Sequence, residues 1–229
     1  MKGDGGTTEA KRRAAESAAE TVESGMVVGL GTGSTAGFAI AELGRRIDNG
    51  LDVQGIPTSY QSRDRARTAG IPLVTLEDAM PDVAIDGADR VLGFDLVKGG
   101  GAAHAREKFV AAAADRFLVV IDDSKRTDSL DVPVPVEVIP DAVPAVSKEL
   151  ERLGGRPDLR LADRKDGPVV TDNGNLVVDC KFDDVSDFDP LAGALSELPG
   201  VVEHGLFVGM ADELHVGSDI GIEVYERPR

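Results

Sequence analysis

The sequence predicts an α/β protein in which an open parallel sheet is joined to a smaller α+β unit. Helical and extended patterns alternate through the first half of the chain, and the extended stretches are continuously apolar, as at residues 26–30 and 117–121. Continuously apolar strands are typical of a parallel sheet that helices cover on both faces. A stretch with two prolines after Asp131 then introduces shorter strands and marks a change of architecture.

The first half of the chain divides into alternating helices and strands. The predicted helices span residues 9–22, 36–47, 59–69 and 102–114, and the predicted strands span residues 26–30, 51–56, 83–85 and 117–121. Thr7 or Thr8 can cap the first helix, in which Ala10, Ala14 and Ala18 lie on one face. This order of elements predicts helical crossovers between parallel strands.

The second half predicts a small α+β unit. Residues 132–136 predict a connection or an edge strand, because proline lacks the N–H that a strand ladder needs. A helix over 140–153, strands over 159–161, 169–171 and 176–180, a helix over 190–198 and a strand over 201–203 follow, and Asn173-Gly174 predicts a hairpin. Short strands are predicted at 206–209, 213–216 and 221–224. We expect one domain of residues 1–130 plus 206–229 and a second of residues 131–205.

The balance of charges excludes several classes of partner. The 229 residues carry 25 Lys and Arg against 41 Asp and Glu, and the resulting net charge of −16 repels nucleic-acid phosphates and anionic membranes. No apolar stretch reaches the roughly 18 residues that a membrane-spanning helix needs. The single cysteine, Cys180, excludes an intramolecular disulfide. We therefore expect a cytoplasmic protein with no nucleic-acid or membrane partner.

A glycine-rich turn between the first strand and the second helix predicts an anion site. The run Gly31-Thr32-Gly33-Ser34-Thr35 can direct backbone N–H groups, hydroxyls and the positive end of a helix at a phosphate. The glycines loosely match a dinucleotide fingerprint, but no acidic residue ends the second strand to bind a ribose. A phosphate cradle for a small substrate is the favoured interpretation, with a dinucleotide site and a structural turn as alternatives.

Charged residues at other predicted strand and helix ends suggest further chemistry. Asp86-Gly87-Ala88-Asp89 follows a buried strand, where open α/β sheets bind ligands, although a solvated turn is the alternative. Lys98-Gly99-Gly100-Gly101 precedes a helix that contains Glu107. A carboxylate there can act as a general base, although an exposed helix glutamate is the alternative. Lys125 follows the strand over residues 117–121, at the same edge of the predicted sheet.

Together these segments resemble the type A ribose-5-phosphate isomerase family. The family's order and spacing are matched by Gly31-Thr32-Gly33-Ser34-Thr35-Ala36, Asp86-Gly87-Ala88-Asp89, Lys98-Gly99-Gly100-Gly101, Arg106-Glu107-Lys108 and Asp123-Ser124-Lys125. Pro135-Val136-Glu137-Val138 and Leu198-Pro199-Gly200-Val201-Val202-Glu203 extend the resemblance over almost the whole chain. The resemblance implies a Rossmann-like open parallel sheet domain with a smaller ferredoxin-like α+β domain.

The resemblance also implies an activity. The family interconverts D-ribose 5-phosphate and D-ribulose 5-phosphate in the pentose phosphate pathway, without a metal or organic cofactor, as a homodimer or homotetramer. Glu107 matches the catalytic base, and by hypothesis it moves a proton between C2 and C1 through a cis-enediolate. Asp86 is the candidate for ring opening, Asp89 for orienting hydroxyls, and Lys98 for stabilising the enediolate.

The residues that match the family's substrate-binding segments are Thr32, Gly33, Ser34, Thr35, Asp86, Gly87, Ala88, Asp89, Lys98, Gly99, Gly100, Gly101 and Lys125. Lys11 loosely matches an N-terminal lysine near the phosphate. Three residues depart from the family's pattern, namely Arg90, His104 and His204. They bear on local charge and pH optimum rather than on the matched catalytic set. We expect His104 to face polar surroundings in its helix, and we interpret His215 and Cys180 as packing residues.

Two other functions stay open at this point. One is another sugar-phosphate isomerase or deaminase on the same scaffold, and the other is a non-catalytic sugar-phosphate sensor. A sensor predicts an added DNA-binding helix-turn-helix and a degraded catalytic set. Only about 25 residues precede the first predicted strand, and Glu107, Asp86 and Lys98 are all present, so both observations favour the enzyme.

The composition predicts a stability that depends on salt. Excess acidic residues, 8 Lys against 17 Arg (together 25) and 4% aromatic residues indicate adaptation to very high salt, with an acidic mesophilic protein as the alternative. At 1 M salt the Debye length is about 3 Å, so repulsion among surface carboxylates is largely screened. We expect the melting temperature to rise between low salt and molar KCl. An unchanged melting temperature would contradict the salt adaptation.

Overall fold

The computed structural model describes residues 6–130, 132–183, 185 and 187–228. These residues form two compact units. The larger unit comprises residues 6–88, 106–125 and 209–228, and the smaller unit comprises residues 89–105 and the described part of 126–208. Within the described residues the chain therefore passes between the units after residues 88, 105, 125 and 208.

The helices and strands follow one another in an order close to that predicted. They are α1 (Thr8–Glu20), β1 (Val27–Leu30), α2 (Ser34–Ile47), β2 (Gln54–Pro57), α3 (Tyr60–Thr68), β3 (Val83–Asp86), β4 (Arg90–Leu92), β5 (Asp95–Val97), α4 (His104–Ala113), β6 (Arg116–Asp122), β7 (Val134–Val138), α5 (Val143–Arg152), β8 (Arg156–Leu159), β9 (Leu176–Lys181), α6 (Asp189–Ser196), β10 (Val201–His204), β11 (Leu206–Phe207), β12 (Glu213–Gly217) and β13 (Ile222–Glu226). Short 3₁₀ turns at Asp123–Lys125 and Pro140–Ala142 follow β6 and precede α5.

One six-stranded sheet forms the centre of the larger unit. Its order is β2-β1-β3-β6-β12-β13, in which the pairs from β2 to β12 are parallel and β13 is antiparallel to β12. All residues of β1 and β3 are buried, so both faces of these strands are covered. The predicted α/β class with an open, mostly parallel sheet is confirmed.

The connections of this sheet place a topological switch point at its carboxyl edge. The chain leaves β1 through α2 to reach β2 on one side, and then returns through α3 to β3 on the other side of β1. Strand order therefore reverses between β1 and β3, which is where open α/β sheets bind ligands. Loops from the ends of β1, β3 and β6 meet this edge.

Apolar helix faces close the larger unit around its sheet. Buried alanines of α1 pack with α2 and the sheet in one cluster that includes Ala14, Ala18, Val28, Ile40, Leu43, Ile85 and Leu118. The small alanine side chains let α1 approach closely. The longest helix, α2, has 14 residues, and in the described part of the chain no helix is long and apolar enough to cross a membrane.

The smaller unit contains two antiparallel sheets. The elements β7, α5, β8, β9, α6 and β10 follow each other as βαββαβ, and their strands assemble in the order β10-β7-β9-β8. This arrangement is the ferredoxin-like architecture expected from the sequence. A second sheet has the order β11-β5-β4. Valines of β7 and β9 form the centre of an apolar cluster that also contains Leu150 and Phe188.

The position of β7 corrects the prediction of a connection or an edge strand for residues 132–136. β7 lies inside its sheet, between β10 and β9, although it contains Pro135. The N–H of Gly205 donates to the carbonyl of Pro135 at 2.7 Å, so Pro135 faces the side on which β10 has already ended at His204. The N–H that proline lacks would therefore point past the end of β10, outside the regular ladder, and β7 tolerates proline at this position.

The segment before the Asn-Gly turn corrects a second prediction. The turn is present, because the N–H of Gly174 donates to the carbonyl of Thr171 at 2.9 Å and Gly174 adopts a φ of +85°. Residues 169–171, however, are not a strand, and Val170 forms only an isolated bridge with Leu176. The predicted hairpin is therefore reduced to its turn.

A buried carboxylate explains why this segment curls. Oε1 of Glu137, on β7, accepts hydrogen bonds from Thr171 Oγ1 at 2.8 Å, Asn173 Nδ2 at 3.0 Å and Asn175 Nδ2 at 2.8 Å. The polar side chains therefore turn towards Glu137 instead of extending the segment along β9. Glu137 itself is fully buried.

The domain limits proposed from the sequence differ from the two units at three places. The sequence pattern assigns residues 89–105, 126–130 and 206–208 to the first domain, whereas their contacts group them with the smaller unit. The proposed boundary at Asp131 lies outside the described residues, as do residues 1–5 and 229 of the proposed first domain. The domain limits stay a prediction.

The cluster around Glu137 gives a test of the smaller unit. Glu137→Ala removes the acceptor of three donors, of which Thr171 is buried, Asn175 is partly exposed and Asn173 is exposed. An unsatisfied buried donor costs about 1–3 kcal/mol, so we expect the free energy of unfolding to fall by about 1–3 kcal/mol in denaturant titrations. The control is Glu149→Ala, which removes a surface ion pair with Arg152 and should change stability by less than about 1 kcal/mol. Equal effects of the two substitutions would contradict the assignment.

Candidate active site

The predicted phosphate loop lies at the carboxyl edge of the central sheet. β1 ends at Leu30, and residues 31–33 lead directly into α2. Gly33 caps the helix with a φ of +111°, a left-handed conformation that glycine adopts without strain. Ser34 is exposed and Thr35 is buried. The loop thus presents a helix N-terminus and hydroxyl groups, which is the arrangement that binds phosphate.

Asp86 ties this loop to the end of β3. Its Oδ1 accepts hydrogen bonds from the N–H of Thr32 at 3.0 Å and from the N–H of Gly87 at 2.7 Å. A Cβ at Gly31 would lie 2.2 Å from Cγ of Asp86, so a glycine is required there. Asp86 is 3% exposed, and Gly87 and Ala88 are partly exposed beside it. The structure therefore brings the loop of residues 31–33 and the end of β3 together.

Two hydroxyl residues that the sequence analysis did not single out also contact the loop. Thr32 Oγ1 lies 2.9 Å from Thr58 Oγ1 and 2.7 Å from Ser59 Oγ. Gln61 Oε1 accepts a hydrogen bond from the N–H of Gly33 at 3.2 Å. Thr58 and Ser59 follow β2 directly, so their place at a strand end was the signal that could have identified them.

Glu107 lies in the first turn of α4. The helix begins at His104, two residues later than predicted, which brings Glu107 closer to the positive end of the helix dipole. Because α4 runs towards the start of β6, its own first turn lies on the carboxyl side of the sheet. Glu107 is 5% exposed, so the exposed helix glutamate considered as an alternative is excluded.

Lys125 ends the 3₁₀ turn that follows β6. The buried Asp122 fixes this turn, because its Oδ1 accepts hydrogen bonds from the N–H of Ser124 at 3.2 Å and from the Ser124 hydroxyl. Lys125 is partly exposed. The turn therefore projects from the same strand edge as the loops after β1 and β3.

Lys98 lies in the smaller unit, directly after β5. Its N–H donates to the carbonyl of Gly205 at 2.8 Å. In a regular antiparallel ladder this carbonyl would accept the N–H of residue 135, which is absent because residue 135 is a proline. A Cβ at Gly205 would lie 2.1 Å from the carbonyl oxygen of Lys98, so this close approach requires glycine. The side chain is 3% exposed, and Nζ lies 5.5 Å from the centroid of the Phe207 ring.

The glycine run after Lys98 has an unusual backbone. Gly99 has a φ of +108°, and Ala102 has a φ of +58°, a left-handed conformation that costs a non-glycine residue about 1–2 kcal/mol. Asp89 Oδ2 accepts the N–H of Gly100 at 2.7 Å. Asp89 and residues 98–101 are therefore brought together, and strain of this kind often accompanies functional sites.

The remaining residues from the sequence analysis occupy packed or peripheral positions. His104 is fully buried, and its Nε2 lies 3.4 Å from the carbonyl oxygen of Glu203. His204 Nε2 lies 3.0 Å from Ser196 Oγ. Arg90 donates to the carbonyl of Asp89 at 2.9 Å. The contact of Arg90 is with the backbone of Asp89, whereas those of His104 and His204 are with Glu203 and Ser196.

Cys180, His215 and Lys11 complete the set. Burial raises the pKa of the Cys180 thiol to about 12, and burial lowers the pKa of the His215 imidazole against the opposing effect of Glu213. Both side chains are buried, as expected for packing residues. Lys11 is a half-buried residue of α1. Among the described residues no group of three His, Cys, Asp or Glu side chains is arranged to hold a metal ion.

Comparisons with known proteins agree on one family. A sequence model of ribose 5-phosphate isomerase A (phosphoriboisomerase A) matches residues 54–221. The ribose-5-phosphate isomerase A of Natronomonas pharaonis is 66% identical over 224 residues, which cover 98% of this chain and all of that protein.

Solved structures agree with the sequence matches. The ribose 5-phosphate isomerase A of Methanocaldococcus jannaschii superposes with a TM-score of 0.92 at 44% identity, covering 95% of this chain and 98% of that one. A D-ribose-5-phosphate isomerase in complex with phospho-erythronic acid superposes with a TM-score of 0.93 at 42% identity, covering 96% and 98%. These matches confirm the resemblance and the enzyme class predicted from the motifs. The chain belongs to the ribose 5-phosphate isomerase A family.

Proposed function

We propose that this chain interconverts D-ribose 5-phosphate and D-ribulose 5-phosphate through a cis-enediolate, with Glu107 as the base. Family membership supports the overall reaction. The observation that carries the assignment is the burial of the Glu107 carboxylate in the first turn of α4, on the sheet edge that also holds the loop of residues 31–35. A buried carboxylate at the carboxyl edge of a parallel sheet has the position expected of a general base.

The reaction moves protons without net oxidation. After the sugar ring opens, Glu107 removes the proton from C2, and the electron pair forms the C1–C2 double bond of the enediolate. Returning the proton to C1 and transferring a hydroxyl proton between the two oxygens gives the ketose. One base therefore serves both directions, and positioned acid–base catalysis contributes about 10²–10⁴-fold.

The 5-phosphate binds, in this proposal, to the loop of residues 32–35 and to Lys125. The N-terminus of α2 and the hydroxyls of Ser34 and Thr35 supply donors, and Lys125 supplies a charge from the neighbouring turn. Anchoring the phosphate holds the reacting carbons in place, which lowers the entropic part of the barrier. In a chain with a net charge of −16, these local donors oppose the general repulsion of an anionic substrate.

The enediolate oxygens are assigned to Lys98 and to backbone N–H groups of the glycine run. The hydrogen bond from Gly100 to Asp89 occupies one of these donors, so the role falls to the N–H groups of Gly99 and Gly101. Donors fixed before the reaction stabilise developing charge more strongly than water does. Asp86 is proposed to assist ring opening, and Asp89 to orient substrate hydroxyls.

A ligand of one solved relative is consistent with this chemistry. That relative holds phospho-erythronic acid, a phosphorylated sugar acid. Its carboxylate has two coplanar oxygens that share a negative charge, as an enediolate does, and compounds of this kind bind tightly to sites built for the transition state.

The family resemblance also supports a cytoplasmic homodimer or homotetramer that needs no cofactor.

Replacing the base tests the mechanism. We expect Glu107→Gln to lower kcat by about 10²–10⁴-fold, because the amide cannot accept the C2 proton, while binding of ribose 5-phosphate changes little. The measurement is a coupled assay of ribulose 5-phosphate formation in low and molar KCl, with and without chelator. Glu42→Gln on α2 is the control, because Glu42 pairs only with a surface arginine in the contacts described.

The outcomes separate the mechanism from the activity. Near-normal turnover of Glu107→Gln would exclude Glu107 as the base. Inactivity of the unaltered chain under every salt condition would instead favour a sugar-phosphate sensor, and activity on a different sugar phosphate would favour another isomerase or deaminase.

Replacing the phosphate anchor tests substrate binding. Lys125→Ala removes one charge-assisted contact, which is worth about 1.5–3 kcal/mol, so we expect KM for ribose 5-phosphate to rise by at least about tenfold. The control is Lys148→Ala in α5, which should leave KM unchanged. A Lys125→Ala variant with the KM of the unaltered chain would remove Lys125 from the phosphate site.

A further inference from the structure

Arg160 is a polar residue of the smaller unit to which the proposed function assigns no role. It follows β8, and its backbone is fixed on both sides, because its N–H donates to the carbonyl of Val177 and its carbonyl accepts the N–H of Val169, each at 2.9 Å. Its side chain is only 14% exposed. Burying a guanidinium is costly unless it is well paired, so its partners indicate what it does.

Asp179 on β9 provides the first partner. Nε of Arg160 donates to Oδ2 at 2.7 Å, and Nη2 donates to Oδ1, so the pair is bidentate. This geometry orients the guanidinium plane as well as neutralising its charge. The orientation leaves Nη1 directed at a different segment of the chain.

The second partner is the glycine run after Lys98. Nη1 of Arg160 donates to the carbonyl of Gly99 at 2.8 Å and lies 3.4 Å from the carbonyl of Gly100. The residues that meet are about 60 positions apart in the sequence. A side chain anchored in the four-stranded sheet therefore contacts the backbone of the segment proposed to stabilise the enediolate.

These contacts fix the direction of two peptide groups. In a trans peptide the carbonyl and the N–H point in opposite directions. The peptide between Gly99 and Gly100 is therefore held at both ends, by Arg160 at its carbonyl and by Asp89 at its N–H. The carbonyl of Gly100 faces Arg160, so the N–H of Gly101 points away from it.

We infer that Arg160 is a positioning residue, which holds the carbonyls of Gly99 and Gly100 so that the N–H of Gly101 is directed at an enediolate oxygen. This inference rests on the proposed function. A cation on the carbonyl side also polarises the peptide and strengthens its N–H as a donor. The left-handed conformation at Ala102, which is strained for a residue with a Cβ, needs such support from neighbouring groups.

The contacts require arginine rather than any cation. A planar guanidinium can donate to both carboxylate oxygens of Asp179 and, from Nη1, to a backbone carbonyl in a fixed direction. A lysine ammonium is a compact charge that cannot keep this fork geometry. Arg160→Lys therefore keeps the charge and loses the orientation.

The test compares Arg160→Lys and Arg160→Ala with the unaltered chain. We expect kcat to fall by about 10–100-fold in both variants, because misplaced donors act mainly on the transition state, with KM within about threefold. Millimolar methylguanidinium should partly restore kcat of Arg160→Ala and leave Glu107→Gln unchanged. Amide hydrogen exchange of residues 99–102 should be faster in both Arg160 variants.

Arg156→Ala is a matched control. Arg156 begins the same strand, β8, and its guanidinium pairs with Asp183, with both side chains more than half exposed. This substitution removes an arginine of similar sequence position without touching the glycine run in the contacts described. We expect its kcat, KM and hydrogen exchange at residues 99–102 to match those of the unaltered chain.

Several results would overturn the inference. These are a kcat of both Arg160 variants within about threefold of the unaltered chain, an equal loss in Arg156→Ala, or unchanged hydrogen exchange at residues 99–102. If the unaltered chain does not isomerise ribose 5-phosphate, the proposed function fails, and hydrogen exchange alone then decides whether Arg160 orders the run. If Arg160→Ala does not fold, Arg160→Lys provides the same comparison.

Discussion

The loops that end β1 and β3 are joined by one buried carboxylate. Asp86 binds the N–H groups of Thr32 and Gly87 through a single oxygen, and the close approach leaves room only for glycine at position 31. Without this carboxylate, one backbone donor just before α2 and one directly after β3 would lose their acceptor. The same residue is proposed to assist ring opening, so its second oxygen has to carry that chemistry.

In the smaller unit, the proline in β7 affects how the backbone of Lys98 is held. Pro135 has no N–H, so the carbonyl of Gly205 opposite it accepts instead from the N–H of Lys98. The backbone of a proposed catalytic lysine is therefore held by the same irregularity that allows a proline inside the sheet. The position of Lys98 depends on two residues more than 30 positions away in sequence, neither of which carries reactive chemistry.

The central sheet could be predicted because its strands are continuously apolar and its helices begin and end at clear signals. The identity of Glu107, Asp86 and Lys98 as candidates followed from short motifs at strand ends and helix starts. The sequence pattern could not predict the interior position of β7 or the curl before the Asn-Gly turn, because both depend on partners far along the chain. Arg160 and Gly205 were missed for the same reason, since their contacts leave no local periodicity.

Cys180 has a practical consequence for spectroscopy. Its thiol is buried, and burial raises its pKa to about 12, so almost no reactive thiolate exists at neutral pH. The chain also has no tryptophan. A cysteine introduced at an exposed position such as Glu151 would therefore take a fluorescent label alone, and an introduced tryptophan would fluoresce without background. The unaltered chain would therefore contribute almost no thiol labelling at neutral pH and no tryptophan fluorescence to such experiments.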